Sequence, residues 1–173
     1  MLLERDWEIV VDKPVDEVFA AFAERAGRVP AWGGSPEVAQ VRKLTEGPVG
    51  AGSRYLLSAE HRGRHAEGTV EVTDYDPDQA IKIAWSGEFG GHWEQRFGAA
   101  GIANFFYSPR WATNGTIEAR FAEHDNGTRI DLHGENNLSG WAGPASLIMR
   151  WFAYRRINGD LARFKSVVES ARD

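Results

Sequence analysis

The C-terminal stretch constrains the fold more than any other part of the chain, because its pattern predicts one long helix over residues 144–172. Pro144 suits the first helical turn, where its missing N–H has no partner to lose. At about 1.5 Å per residue the helix is roughly 40 Å long, so it needs a curved sheet beneath it. Its wide aromatic face can leave a gap above that sheet. One helical face, with steps of three and four residues, carries Leu147, Trp151, Tyr154, Asn158, Leu161 and Val168.

Most of the remaining chain alternates between apolar and polar residues, the pattern of half-buried strands. The pattern predicts strands over 3–11, 38–44, 53–62, 66–75, 80–86, 115–123 and 128–138. A helix is predicted over 15–26 and a short helical turn over 29–34. Asn126-Gly127 is expected to form the last hairpin turn. We therefore predict an α+β fold: a seven-stranded antiparallel sheet curled around the C-terminal helix, with two short helices after the first strand.

Composition excludes several classes of function. The 173 residues carry a net charge of −5 without a basic run, which argues against nucleic acid and anionic membranes as partners. The absence of cysteine excludes disulfides, thiolate catalysis and Cys-type zinc sites. The N-terminus does not resemble a signal peptide, and no apolar window is long enough to span a bilayer. The expectation is one cytoplasmic domain over residues 1–173.

Several short motifs occur in an order that resembles a known superfamily. A strand–Pro–helix opening at 11–19 precedes Pro30-Ala31-Trp32, a glycine turn at 46–53, a strand-end turn at 72–77 and Asn126-Gly127-Thr128. Together with the final helix they resemble the START-like (SRPBCC) superfamily, the polyketide cyclase/dehydrase and lipid-transport group with the Bet v 1 helix-grip fold. This resemblance implies a cavity between the sheet and the last helix. It implies no particular substrate, because the fold hosts many functions.

An aromatic-rich insertion at about 86–111 departs from that pattern, since the family usually has a tight hairpin there. Seven aromatic residues and five glycines lie in this segment. Such a long segment is typically functional or has structure of its own. We predict a lid over the cavity mouth, with a homodimer contact through 86–111 as the runner-up. An extended hairpin formed by longer fifth and sixth strands is the plain alternative.

The candidate ligand-binding residues are mostly aromatic or apolar, although side chains at these spacings also fit an ordinary core. Asn136 would orient a ligand carbonyl or hydroxyl, or satisfy a neighbouring backbone group. The candidates are Trp32, Tyr55, Leu57, Trp85, Phe121, Leu132, Asn136, Leu147, Trp151 and Tyr154.

The sequence indicates catalytic residues less clearly than ligand-binding residues. Tyr55, His61 and Asn136 are the candidates for moving protons, although His61 also fits a solvated hairpin tip. Neither a His-Glu-x-x-His string nor a Gly-x-Ser-x-Gly elbow occurs. We predict no metal site and no cofactor, and we expect His124 and His133 to face outward beside acidic neighbours.

Three functions remain open at this point. The first is a carrier or binding domain for a hydrophobic or aromatic small molecule. The second is a cyclase/dehydrase-type enzyme, in which enclosure would enforce the reactive conformer. The third is a protein-interaction module resembling Hsp90 co-chaperone domains. The polar side chains that enter the cavity would discriminate among them.

Overall fold

The computed structural model describes residues 2–27, 39–61, 64–90, 111–139 and 145–171. Side chains are described in these ranges except at residues 3, 39, 59–61, 64–66, 88–90, 111–113, 138–139 and 145–156. Within this part of the chain lie seven strands and two helices. They are β1 (Leu2–Val11), α1 (Val15–Glu24), β2 (Ala39–Lys43), β3 (Arg54–His61), β4 (Arg64–Asp76), β5 (Ala80–Gly90), β6 (Trp111–His124), β7 (Gly127–Ser139) and α2 (Ala145–Ser170).

The strands form one sheet in the order β1-β7-β6-β5-β4-β3-β2. Each neighbouring pair in that order is antiparallel. β1 and β2 lie at opposite edges, and β2 to β7 return across the sheet one strand at a time. This arrangement confirms the predicted α+β fold. The short helical turn predicted over 29–34 lies outside the described residues.

Both helices lie on one face of the sheet, which we call the inner face. Leu161, Phe164 and Val168 of α2 belong to the same buried cluster as Val11 and Ile130 of the sheet. The backbone N–H of Asp12 donates to Glu169 Oε1 at 2.8 Å, which ties the C-terminal end of α2 to the end of β1. The predicted sheet curled around its C-terminal helix is therefore confirmed.

α1 forms where the sequence supplies both a start signal and an apolar side. Pro14 precedes the helix, and Asp16 and Glu17 lie in its first turn, where the helix dipole favours acidic side chains. Its buried residues recur at helical spacing and face the sheet: Val18, Phe19, Phe22 and Ala23. α1 thereby covers the sheet next to the C-terminal part of α2.

The β6–β7 hairpin turns one residue earlier than predicted. Its loop is Asp125–Asn126, and His124 pairs with Gly127; Asp125 adopts a positive φ of 50°. Gly127 is already a strand residue. A Cβ added there would lie 3.1 Å from Asp12 Cα and closer still to the Val11 carbonyl oxygen. Glycine is thus required by a close backbone approach to the end of β1, not by the turn itself.

A β-bulge in β4 decides which way Tyr75 faces. Val72 pairs with Ile83 and Asp74 pairs with Lys82, so Thr73 is an extra residue. Because the side-chain period of a strand is two, one extra residue reverses the facing of everything beyond it. Tyr75 consequently packs edge-on against Phe19, with ring centroids 5.2 Å apart.

The aromatic-rich insertion begins and ends in strand. β5 continues to Gly90, β6 starts at Trp111, and Phe89 pairs with Trp111. Residues 91–110 lie outside the described ranges, so the lid and homodimer roles stay predictions. In the part of the chain that the structure describes, neither helix has the length and apolarity needed to cross a membrane.

Candidate functional site

Phenylalanine rings fill one end of the inner face. Phe121 packs edge-on against Phe19 and Phe22, with ring centroids 5.1 and 5.4 Å apart, and Phe22 packs in the same way against Phe164 at 5.8 Å. We call these four rings, with Ile130 and Leu132 beneath them, the packed end. Two of the predicted ligand-binding residues lie here: Phe121 is 7 % exposed and Leu132 is 2 % exposed. Their role as ligand contacts stays a prediction.

Four glycines mark the other end of the inner face, which we call the glycine end. Gly68 pairs with Gly87, Gly115 lies opposite Trp85, and Gly134 lies opposite Ile117, so the glycines run diagonally over four adjacent strands. Each lies two residues along its strand from a residue that faces the core. β7 ends on this side, and α2 begins shortly after it. The N-terminal half of α2 therefore runs over the glycine end.

Two indole rings lie against this glycine surface. A Cβ added to Gly115 would be 2.5 Å from Trp85 Cζ2, and one added to Gly134 would be 2.8 Å from Trp7 Cζ3. The rings therefore occupy the space that side chains at these positions would need, and both tryptophans remain only half-buried. Glycine inside a strand is costly and often marks such a close approach. The result is an apolar floor in which two indole rings take the place of strand side chains.

Three of the predicted site residues lie in one row across the sheet. Tyr55 pairs with Val70, Val70 with Trp85, Trp85 with Gly115, and Gly115 with Asn136. The row spans β3 to β7 along the edge of the glycine end. Exposure changes along it, since Tyr55 and Val70 are buried whereas Trp85 and Asn136 are half-buried. Leu57 lies two residues beyond Tyr55 on the same face of β3 and is also half-buried.

Tyr55 is the polar group of this row that lies deepest. It is 5 % exposed, and its hydroxyl has no hydrogen-bond partner among the atoms the structure describes. Its ring lies against Gly27 just after α1, where an added Cβ would be 2.5 Å from Tyr55 Cδ1. Burial raises the pKa of the phenol, and the nearby Tyr75 raises it further. The hydroxyl is therefore a neutral donor and acceptor at physiological pH.

The three candidates for proton transfer lie at widely spaced backbone positions of the sheet, and their catalytic role stays a prediction. Tyr55 and Asn136 are four strands apart, which is about 19 Å along the sheet at the usual strand spacing. His61 ends β3, six residues beyond Tyr55, which is about 20 Å along the strand. An acid and a base that act on one substrate atom need hydrogen-bond reach of it. Tyr55 and Asn136 can instead contact opposite ends of one ligand.

The remaining predicted site residues cannot be placed by their side chains. Trp32 lies outside the described residues. The backbone of α2 includes Leu147, Trp151 and Tyr154, and that of β3 includes His61, but their side chains are not among those described. Their roles in ligand binding or catalysis stay predictions.

Sequence reasoning missed the glycine surface and the part that Trp7 plays in it. Gly68, Gly115 and Gly134 each fall on the apolar phase of a predicted strand. Their position on the apolar side of the strands could have indicated this surface, because a glycine that faces inward from a central strand leaves space that another side chain must occupy. The partner itself is visible only once the register is known.

The outer face of the sheet is polar and has a groove of its own. An open groove of about 630 Å³ crosses β1, β7 and β6. It is lined by six ionisable residues and two apolar ones: Asp6, Glu8, Glu118, Arg120, Asp131 and His133, with Trp7 and Leu132. A hydrogen bond to Asp6 raises the pKa of the His133 imidazole, with smaller upward effects from Glu135 and Glu4 against an opposing effect of burial. His133 thus faces outward beside acidic neighbours, as predicted.

Comparisons with known proteins agree with the motif resemblance. A family model described as polyketide cyclase/dehydrase and lipid transport matches residues 6–169. No curated protein matches the chain.

Solved structures share the fold at low sequence identity. Ara h 8.0201 is 15 % identical with a TM-score of 0.62, covering 99 % of this chain and 100 % of its own. A conserved protein from Geobacillus kaustophilus is 13 % identical with a TM-score of 0.66, covering 96 % and 95 %. The Mll3558 protein from Rhizobium loti is 19 % identical with a TM-score of 0.59, covering 95 % and 97 %. These matches confirm the helix-grip fold.

Proposed function

Because the chain belongs to the polyketide cyclase/dehydrase and lipid transport family, we propose that it binds a hydrophobic or aromatic small molecule between the sheet and α2. It acts as a carrier or binding domain. The family and the fold favour a domain that binds a hydrophobic ligand. The proposed site is the glycine end of the inner face, beneath the N-terminal half of α2.

The observation that carries this proposal is the buried hydroxyl of Tyr55. It is 5 % exposed and lacks a hydrogen-bond partner in the described structure. Buried polar groups are nearly always hydrogen-bonded, because an unpaired one costs free energy. A ligand with one polar atom at its end would satisfy the hydroxyl. Apolar sites commonly contain a few such polar groups, which orient the ligand.

The floor of the glycine end supports a planar ligand. The Trp85 indole lies over Gly115 and the Trp7 indole over Gly134. Aromatic faces of this kind attract another ring in offset or edge-on contact. The row from Tyr55 to Asn136 has a polar side chain at each end and apolar groups between them. This pattern favours an elongated, mostly apolar molecule.

Two probes that differ by one hydroxyl test the proposal. Naphthalene and 2-naphthol would be titrated into the full chain and into Tyr55→Phe, with quenching of tryptophan fluorescence or calorimetry as the readout. We expect both probes to bind the wild type. Tyr55→Phe should weaken 2-naphthol by about two- to tenfold, the value of one net hydrogen bond, and should leave naphthalene unchanged.

Tyr75→Phe is the matched control, because Tyr75 is a half-buried phenol near Tyr55 that packs against Phe19. It should leave the affinity for both probes unchanged. The site is misplaced if Tyr75→Phe weakens 2-naphthol as much as Tyr55→Phe does. Absence of binding of either probe at millimolar concentration would reject the proposed function.

The enzymatic alternative needs a converging acid–base pair. The backbone positions of Tyr55, Asn136 and His61 are widely spaced on the sheet, and this spacing gives no support for such a pair. Binding without chemistry is therefore the function that the described geometry favours.

A further inference from the structure

The outer face holds a cluster of ionisable side chains that ligand binding on the inner face does not use. In the β1–β7 pair Glu4 lies directly opposite Glu135, and Asp6 lies directly opposite His133. Two like charges directly opposite each other destabilise a strand pair unless a positive group lies between them. Among the described residues, the ion pairs of Glu4, Asp6 and Glu135 are all with His133.

The two imidazole nitrogens of His133 have different surroundings. Nδ1 lies 2.7 Å from Asp6 Oδ1, a short hydrogen bond. Nε2 lies 3.5 Å from Glu135 Oε1 and 3.7 Å from Glu4 Oε1, which is at or beyond the limit of a hydrogen bond. In the neutral tautomer whose Nδ1 proton donates to Asp6, the Nε2 lone pair is directed between two carboxylates. A carboxylate holding the far nitrogen of a histidine is the usual support of a metal-ligating imidazole.

The two separations at Nε2 are close to the edge length of a metal coordination sphere. Zn–N and Zn–O bonds are about 2.0–2.2 Å, so two ligand atoms of a tetrahedral site are about 3.4 Å apart. The ligand atoms of Glu4, His133 and Glu135 all lie within 4.8 Å of one another. We propose that Glu4, His133 and Glu135 bind a divalent transition-metal ion of the zinc class on the outer face, with Asp6 as a positioning residue.

The surrounding charges favour a cation. Arg120 is bonded to Glu118 at 2.6 Å and Arg129 to Asp131 at 3.1 Å, so these two neighbouring guanidiniums are directed to other carboxylates. An imidazole among the ligands selects zinc, copper or nickel over magnesium and calcium, which prefer oxygen. The fourth coordination position would face the outer groove and solvent.

The prediction of no metal site was based on the spacing of histidine and carboxylate residues along the sequence. Glu4 and His133 are far apart in sequence and become neighbours only through the β1–β7 register. Such a site has no compact sequence motif, because its ligands lie two residues apart on one strand and on a second, distant strand.

Zinc chloride titrated calorimetrically into the full chain tests the site, in a weakly alkaline buffer, which favours the neutral imidazole that binds metal. The wild type should show one saturable site that excess magnesium chloride does not displace. His133→Ala should abolish that site. Asp6→Asn should weaken it about 10- to 100-fold, while Asp6→Glu, which keeps the carboxylate, should retain more of the affinity. Thermal unfolding without metal checks that each variant is folded.

Glu135→Gln and His124→Ala complete the test. Glu135→Gln keeps the imidazole but removes one ligand charge, and we expect a loss of at least about tenfold. His124 is an exposed histidine 3.8 Å from Asp125 in the β6–β7 hairpin, so His124→Ala should bind zinc as the wild type does. Equal binding by His133→Ala and the wild type would overturn the proposal. So would absence of zinc uptake at millimolar concentration, which would leave His133 only as the positive group between two strands.

Discussion

The packed end and the glycine end of the inner face share strands β6 and β7, yet side chains fill the space above these strands much more completely at the packed end. At the packed end Phe22 is fully buried between the rings of Phe121 and Phe164. At the glycine end Gly115 leaves room for the half-buried indole of Trp85. Alternation decides which face of a strand is buried, whereas side-chain volume decides whether that face is filled.

Buried hydroxyls show the same contrast. Thr128, near the packed end, is fully buried, and its Oγ1 donates to the Lys13 carbonyl at 2.8 Å. Tyr55, in the row at the glycine end, is nearly as buried, and its hydroxyl lacks a described partner. The Thr128 hydroxyl is therefore paired within the fold, whereas the Tyr55 hydroxyl is the group that the proposed ligand would satisfy.

Truncation of Phe22 to alanine should have the largest effect on stability. Phe22 has no exposed surface and contacts two other rings, so Phe22→Ala should cost about 3–5 kcal/mol in the free energy of unfolding. Urea denaturation measures this loss. Trp85→Ala is the matched truncation at the glycine end, and it should cost clearly less because Trp85 is only half-buried. Equal losses would mean that the two ends are filled alike.

Gly115→Ala should have the next largest effect. The added Cβ would meet Trp85 Cζ2 at 2.5 Å and the Glu135 carbonyl oxygen more closely still. Overpacking of this kind costs about 1–3 kcal/mol, and displacement of the indole should also weaken naphthalene binding. Chemical denaturation and the probe titration measure the two effects.

Gly159→Ala is the control for that substitution. Gly159 lies in α2 with nothing within 4 Å of an added Cβ, so alanine should stabilise the helix by about 0.5–1 kcal/mol. A stabilising Gly115→Ala would show that the indole does not need the glycine beneath it.

The fold was predictable from the sequence because two local patterns each indicate one kind of element. Alternation with a period of two indicates a strand, and an apolar stripe at helical spacing indicates a helix. Val11, Ile81 and Ile130 fall on the apolar phase of their strands, and all three are fully buried. Local detail was harder to predict. The extra residue Thr73 and the turn at Asp125 depend on how neighbouring strands meet, which no single segment specifies.

The candidate site was predictable only as a set of residue types. Tyr55 and Trp85 are correctly expected on the inner face, but their place in one row with Asn136 follows from four strand registers at once. The packing of the Trp7 indole over Gly134 depends on the β1–β7 register in the same way. Contacts between distant segments are therefore the part that the sequence pattern could not supply.

Thr128→Val should have a smaller effect than Gly115→Ala. Valine keeps the shape of threonine but removes the hydrogen bond to the Lys13 carbonyl, leaving that acceptor to find another donor. We expect a loss of roughly 1–2 kcal/mol, measured by urea denaturation. A neutral result would mean that solvent replaces the lost donor, and the hydroxyl contrast between the two ends would then weaken.

Tyr55→Phe should have the smallest effect on the free protein. It removes a buried hydroxyl as Thr128→Val does, but this hydroxyl makes no described hydrogen bond. Phenylalanine keeps the ring against Gly27 and no longer requires a polar atom to be buried unpaired. The free energy of unfolding should therefore change by less than about 0.5 kcal/mol or rise slightly. A loss above about 1 kcal/mol in urea denaturation without ligand would show that the folded protein itself pairs the hydroxyl, and the main argument for a ligand at this position would fail.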